Sequence, residues 1–140
     1  MLNLNIGKFH HIGIATREIK KELPLFLGLG YKKESEIFVD EIQKVRGLFI
    51  ISESSPRLEL LENSFSQGPL DVHLAKGNKF YHIAYEVNDI EFCFEYLIRE
   101  YNYKPIVPIV KADYFEKICF LITPNMILLE LVQLQKGFYG

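Results

Sequence analysis

The sequence predicts an α+β fold made of two βαβββ modules whose strands form an open, curved mixed β-sheet cup with the helices outside. Two observations carry most of that expectation. The first is a repeat: FHHIGIA at 9–15 lies over FYHIAYE at 80–86, and LELL at 58–61 lies over LELV at 129–132. The step is 71 residues for His11 and His82 and again for Glu59 and Glu130, and Ile19 over Ile90, Phe49 over Phe120 and Ile50 over Leu121 keep it. With 4 histidines in 140 residues, a histidine pair and a glutamate pair sharing one step is not a coincidence to expect by chance. The second is that each copy alternates apolar and polar residues in short runs, then changes once to a helical period. The length suits one domain, 1–140, with module 1 at about 8–70 and module 2 at about 79–135.

The elements follow in order. Residues 8–15 read as a strand with Ile12 and Ile14 on one face and His11 and Gly13 on the other. Thr16 is placed to cap a helix over 17–28 that Gly28 and Gly30 end, and Pro24 inside it predicts a kink or an early start. Residues 36–42, 45–52 and 56–62 read as strands, the last two joined by the turn ESSPR. The second copy gives a strand at 80–87, a helix at 89–100 capped by Asp89, and strands near 105–109, 116–122 and 127–134, with Pro124 and Asn125 in the last turn. Phe26, Phe92, Phe94 and Tyr96 fall at helical spacing and are assigned to the core.

Composition narrows the function classes. A net charge of −2 offers no basic excess to neutralise a phosphate backbone, so nucleic acid is not the expected partner. No segment approaches the roughly 18 apolar residues needed to cross a bilayer, and the N-terminal MLNLNIGKFHH has no basic region followed by an apolar core. The reading is a soluble, cytoplasmic protein. Cys93 and Cys119 sit in apolar stretches, where a thiol serves as a small buried hydrophobe. A chain of this size does not need metal to fold, so a metal would be there for chemistry.

Four side chains stand where burial makes them costly. Glu130 lies in MILLELVQL with Leu128 and Val132 on its face, and Glu59 lies in PRLELLE beside Arg57 and Leu61. An unpaired carboxylate in such surroundings costs several kcal/mol unless an ion or hydrogen bonds match it. His11 and His82 each precede a small residue on the same face, Gly13 and Ala84, which leaves space before the ring. Two imidazoles and two carboxylates form a plausible shell for a divalent transition metal, with zinc, cobalt, nickel, iron and manganese all suited to nitrogen donors. The alternative is a set of hydrogen-bonded core histidines with glutamates paired at a sheet edge, and the common step favours the metal. His10 faces away from His11, and His73 lies in the polar connector QGPLDVHLAKGNK, solvated or in contact with substrate. Gly28 and Gly30 do not make a phosphate loop.

The segments HHIGIAT, YHIAYEVNDIE, RLELLE and ILLELVQ resemble the vicinal oxygen chelate superfamily, most closely its methylmalonyl-CoA epimerase and glyoxalase I branch, from Phe9 to about Gln133. The resemblance implies metal ligands at His11, Glu59, His82 and Glu130 and a divalent ion, zinc, cobalt, nickel or manganese. It also implies a metal-dependent epimerase, isomerase or lyase that removes a proton next to a carbonyl through an enolate, with Glu130 as base and Glu59 as the group opposite. The substrate is a small molecule such as an acyl-CoA thioester. The alternatives are a glyoxalase I-type lactoylglutathione lyase, an iron-dependent ring-cleaving dioxygenase and a metal-free binding module. Gly47 and Leu48 stand where some bacterial epimerases carry an acidic residue, and TPNM makes a short last turn. Family members are commonly dimers, and the terminal QLQKGFYG offers an apolar contact for a homodimer.

Overall fold

The computed structural model describes residues 6–135. They belong to two compact units, one of residues 11–81 and the other of 6–10 with 82–135. Among the described residues there are nine strands and three helices, an α+β arrangement of parallel and antiparallel pairs.

The N-terminal unit takes up β1 (Lys8–Ala15) from His11 onward, then α1 (Ile19–Leu27), β2 (Lys32–Lys33), β3 (Phe38–Asp40), β4 (Val45–Ser52) and β5 (Ser55–Asn63). β1 runs parallel to β5, β5 is antiparallel to β4, and β2 and β3 both pair with β4 at its other edge. Leu48, Ile50, Leu58 and Leu60 alternate along β4 and β5 and pack with Ile19, Leu23 and Phe26 of α1. The core thus follows from period two in the strands meeting the apolar stripe of one helix.

Three local expectations give way here. Thr16 does not cap α1: its backbone N–H and its hydroxyl both donate to the Leu61 carbonyl, at 2.7 and 2.8 Å, extending the ladder of β1. α1 therefore starts at Ile19, and its first free N–H is met from β5, where Glu62 Oε1 accepts from Ile19 N–H at 2.6 Å. Arg46 donates through Nε to Glu62 Oε2 at 2.9 Å. Pro24 lies inside α1 without ending it. The expected strand 36–42 shortens to β3, and the separate two-residue β2 precedes it. The Ser35 hydroxyl accepts from Phe49 N–H at 3.0 Å, taking the place a ladder carbonyl would hold and interrupting the edge. The turn expected at ESSPR is tighter, because β5 already begins at Ser55 and includes Pro56 next to a register irregularity in the β4–β5 ladder. The connector read as polar loop holds α2 (Asp71–Ala75).

The C-terminal unit contains Lys8, Phe9 and His10 of β1, β6 (Phe80–Glu86) from His82, α3 (Ile90–Tyr101), β7 (Lys104–Lys111), β8 (Lys117–Ile122) and β9 (Leu128–Gln133). β6 is parallel to β9, β9 antiparallel to β8, and β8 antiparallel to β7. Asp89 caps α3 as the sequence suggests, accepting from Phe92 N–H at 3.0 Å, and Asn102 ends it in the left-handed region at φ 59°. Gln133 Oε1 accepts from Ile90 N–H at 3.0 Å, 71 residues on from the Glu62 contact to Ile19, and Gln133 Nε2 donates to Glu116 at 2.9 Å. Ile90, Cys93, Tyr96 and Leu97 of α3 pack on Cys119, Leu121, Leu129 and Leu131. Phe92 departs from the core assignment: it is 50% exposed and stacks on Tyr96 from outside. The turn before β9 is closed by Ile127 N–H donating to Thr123 Oγ1 at 2.9 Å.

Cys93 and Cys119 are free and buried. Among the described residues no helix is long and apolar enough to cross a membrane. The tail contact expected at QLQKGFYG falls mostly on residues 136–140, outside the described residues.

Candidate metal centre

Each unit builds one buried histidine–carboxylate pair in the same way. In the N-terminal unit Gly13 of β1 stands directly across from Glu59 of β5, and Phe49 of β4 stands across from Glu59 on its other side. In the C-terminal unit Ala84 of β6 faces Glu130 of β9, and Phe120 of β8 faces Glu130 from the other neighbour. The glutamate therefore sits on the last strand between a residue with almost no side chain and an aromatic ring. Two residues before the small one comes the histidine, on the same face of its strand.

The result is a matched spacing. His11 Nε2 lies 3.1 Å from Glu59 Oε1, and His82 Nε2 lies 3.1 Å from Glu130 Oε1. All four side chains are buried, at 0% and 6% exposure in the first pair and 5% and 4% in the second. The phenylalanines meet the imidazoles edge to face, Phe49 at 5.0 Å from His11 and Phe120 at 5.3 Å from His82, which fixes the plane of each ring. Phe49 and Phe120 keep the 71-residue step, so the sequence marks them as repeat positions, while their place against the imidazoles needs the fold.

The donors fit a divalent ion. Two ligand atoms each about 2.0–2.2 Å from one ion and set near a right angle lie about 3 Å apart, the spacing found in both pairs. Imidazole nitrogen with carboxylate oxygen suits zinc, nickel, cobalt, iron or manganese better than calcium, and His11, Glu59, His82 and Glu130 are all residues able to hold such an ion. Arg57, placed by the sequence on the face of Glu59, forks onto Glu34 through Nε at 2.8 Å and a terminal nitrogen at 3.2 Å.

The remaining candidates go elsewhere. His10 is buried with its ring edge-on to Phe115 at 5.3 Å. His73, expected in an open polar loop, lies in α2 and packs against the Tyr81 ring at 4.9 Å. Burial pushes the Cys119 thiol up to about 12, which keeps it protonated and unreactive at neutral pH.

The family model described as Glyoxalase/Bleomycin resistance protein/Dioxygenase superfamily matches residues 10–120. No curated protein matches the chain. Among solved structures, a hypothetical protein of Bacillus halodurans C-125 is 26% identical with a TM-score of 0.82, covering 97% of this chain and 100% of that one. Methylmalonyl-CoA epimerase from Mycobacterium tuberculosis is 18% identical with a TM-score of 0.81, covering 96% and 93%. The E43Q form of Streptomyces coelicolor methylmalonyl-CoA epimerase, in complex with 2-nitronate-propionyl-CoA, is 23% identical with a TM-score of 0.75, covering 93% and 99%. The two epimerases show the vicinal oxygen chelate fold. With the family match spanning well over half of its length, this chain belongs to the glyoxalase/bleomycin resistance protein/dioxygenase superfamily.

Proposed function

We propose that this protein is a metal-dependent enzyme that removes a proton from the carbon next to a carbonyl, an epimerase or isomerase most like methylmalonyl-CoA epimerase, acting on an acyl thioester. The observation that carries the reading is the buried histidine–carboxylate pair made twice, 71 residues apart, with the same 3.1 Å spacing, in a member of this superfamily. A chain whose only task was to fold would gain nothing from burying two carboxylates beside two imidazoles. The likeness to epimerases, one of them bound to an acyl-CoA analogue, supports the substrate class.

In this reading His11, Glu59, His82 and Glu130 would together hold one divalent ion. When bound, the ion supplies a Lewis acid that lowers the energy of negative charge developing on a carbonyl oxygen. The glutamates do the proton work. Glu130, 4% exposed, would accept the proton from the carbon next to the carbonyl. Glu59, carrying a proton in the substrate complex, would return it to the opposite face for epimerisation or to the neighbouring carbon for isomerisation, and proton exchange of both carboxyl groups with solvent would restore the starting state. Phe49 and Phe120 hold the imidazole planes and keep water from the pairs.

The test is solvent deuterium wash-in across a panel of acyl-CoA thioesters and hemithioacetals, with metal content measured on the same samples. The wild type should exchange at least one thioester, and Glu130→Gln should lower that rate roughly 10²–10⁴-fold while still binding metal. Undiminished exchange in Glu130→Gln rejects the assigned base. A metal-loaded wild type that exchanges no member of the panel rejects the function.

A further inference from the structure

Besides Gly13 against Ala84, the two units differ at a position diagonal to their glutamates. In the C-terminal unit β8 carries Ile118, an ordinary buried side chain at 2% exposure. The residue 71 positions earlier is Gly47 of β4, in the middle of a buried strand where glycine weakens the element. The space is filled from the edge strand. Phe38 of β3 stands directly across from Gly47, and a Cβ on Gly47 would lie 2.5 Å from Phe38 Cζ and 3.2 Å from Glu59 Oε2. One missing side chain thus lets an aromatic ring reach across and end next to the carboxylate of the site. The ring stacks on Phe49 with centroids 5.6 Å apart and planes 20° apart, and Phe49 in turn meets His11.

A ring lying over a strand glycine also repairs the strand, so stability alone supplies one reason for the pair. It does not account for where the ring ends. Phe38 is half-buried, and its Cζ and Glu59 Oε2 both border the small space that a Gly47 side chain would take. A negatively charged substrate group packed against the ring would lose hydration that an alkyl or aryl group does not need.

Resting on the function proposed above, we propose that Phe38 is a specificity-determining residue whose ring selects an uncharged alkyl or aryl substituent on the acyl group and excludes a carboxylate at that position. The natural substrate class is then a 2-alkyl or 2-aryl acyl thioester.

The experiment compares wild type, Phe38→Ala, Phe38→Leu and Phe38→Arg, each checked for melting temperature and metal content. Binding of non-reactive thioether analogues of isobutyryl-CoA and methylmalonyl-CoA is measured by calorimetry, and deuterium wash-in is measured on the thioesters themselves. Wild type should bind the isobutyryl analogue at least tenfold more tightly than the carboxylated one. Phe38→Ala should shrink that ratio at least fivefold, raising KM more than it lowers kcat, and Phe38→Leu, which keeps volume and loses flatness, should fall between. Phe38→Arg should invert the preference. A wild type that prefers the carboxylated analogue, or a ratio unchanged in every folded variant, overturns the inference. The binding arm decides it even if no thioester exchanges, and that absence of exchange would count against the proposed reaction instead.

Discussion

If one ion is shared by His11, Glu59, His82 and Glu130, removing it should cost the folded state a definite amount. A ligand that binds only the native chain stabilises it by about 2.7 kcal/mol at one hundred times its dissociation constant. Unfolding entropy near ~2.1 cal/mol/K per residue gives a chain of this length roughly 0.3 kcal/mol/K, so that stabilisation moves the melting temperature by about 9 °C. The assay is a thermal melt of chelator-treated protein with and without zinc, cobalt, nickel or manganese, alongside elemental analysis for ions per chain. Sharing predicts one ion per chain, and it predicts that His11→Ala and His82→Ala, in different units, each remove most of the shift. Two ions per chain, or a shift only halved by either substitution, would mean that each 3.1 Å pair binds alone. No shift with any of these four metals or with ferrous iron would refute the metal reading.

Two further outcomes follow from packing. Cys119, with an ordinary value of 9.0 pushed up to about 12, keeps its proton in the native state at pH values where the unfolded chain has lost it. Its contribution is complete below about pH 9 and fades as pH rises toward 12, by up to ~1.4 kcal/mol per pH unit. Urea midpoints at pH 8 and 10.5 should therefore fall further for wild type than for Cys119→Ala, and equal falls would contradict the burial argument. Asp89→Ala removes the side-chain acceptor of Phe92 N–H and should cost about 1 kcal/mol in urea unfolding, with activity retained.

What the sequence disclosed and what it hid divide along physical lines. The 71-residue step exposed His11, Glu59, His82 and Glu130 because burial makes such residues expensive and therefore conspicuous twice over. Strands such as β4 and β9 were legible from short, nearly continuous apolar runs, and α3 from its stripe and its Asp89 cap. The misses arose where a side chain replaced a backbone partner or came from far along the chain. Thr16 has the chemistry of a cap, yet the Leu61 carbonyl 45 residues away claims it. Ser35 breaks an edge strand by accepting from Phe49 N–H, a competition that local propensity does not register. α2 is five residues long, too short for a periodic signal. The partnership of Phe38 with Gly47 needs the register of β3 on β4, which a single sequence does not carry.

The contacts that Glu62 and Gln133 make to the starts of α1 and α3 stand at equivalent positions and differ in charge. The first is a carboxylate held by Arg46, so dissolved ions weaken it; the second is a neutral amide, indifferent to them. α1 is also the shorter helix and contains a proline, whereas α3 has its own aspartate at the front and a left-handed asparagine behind. Rising ionic strength should then loosen one half of the molecule ahead of the other, giving amides of 19–27 earlier hydrogen exchange than those of 90–101.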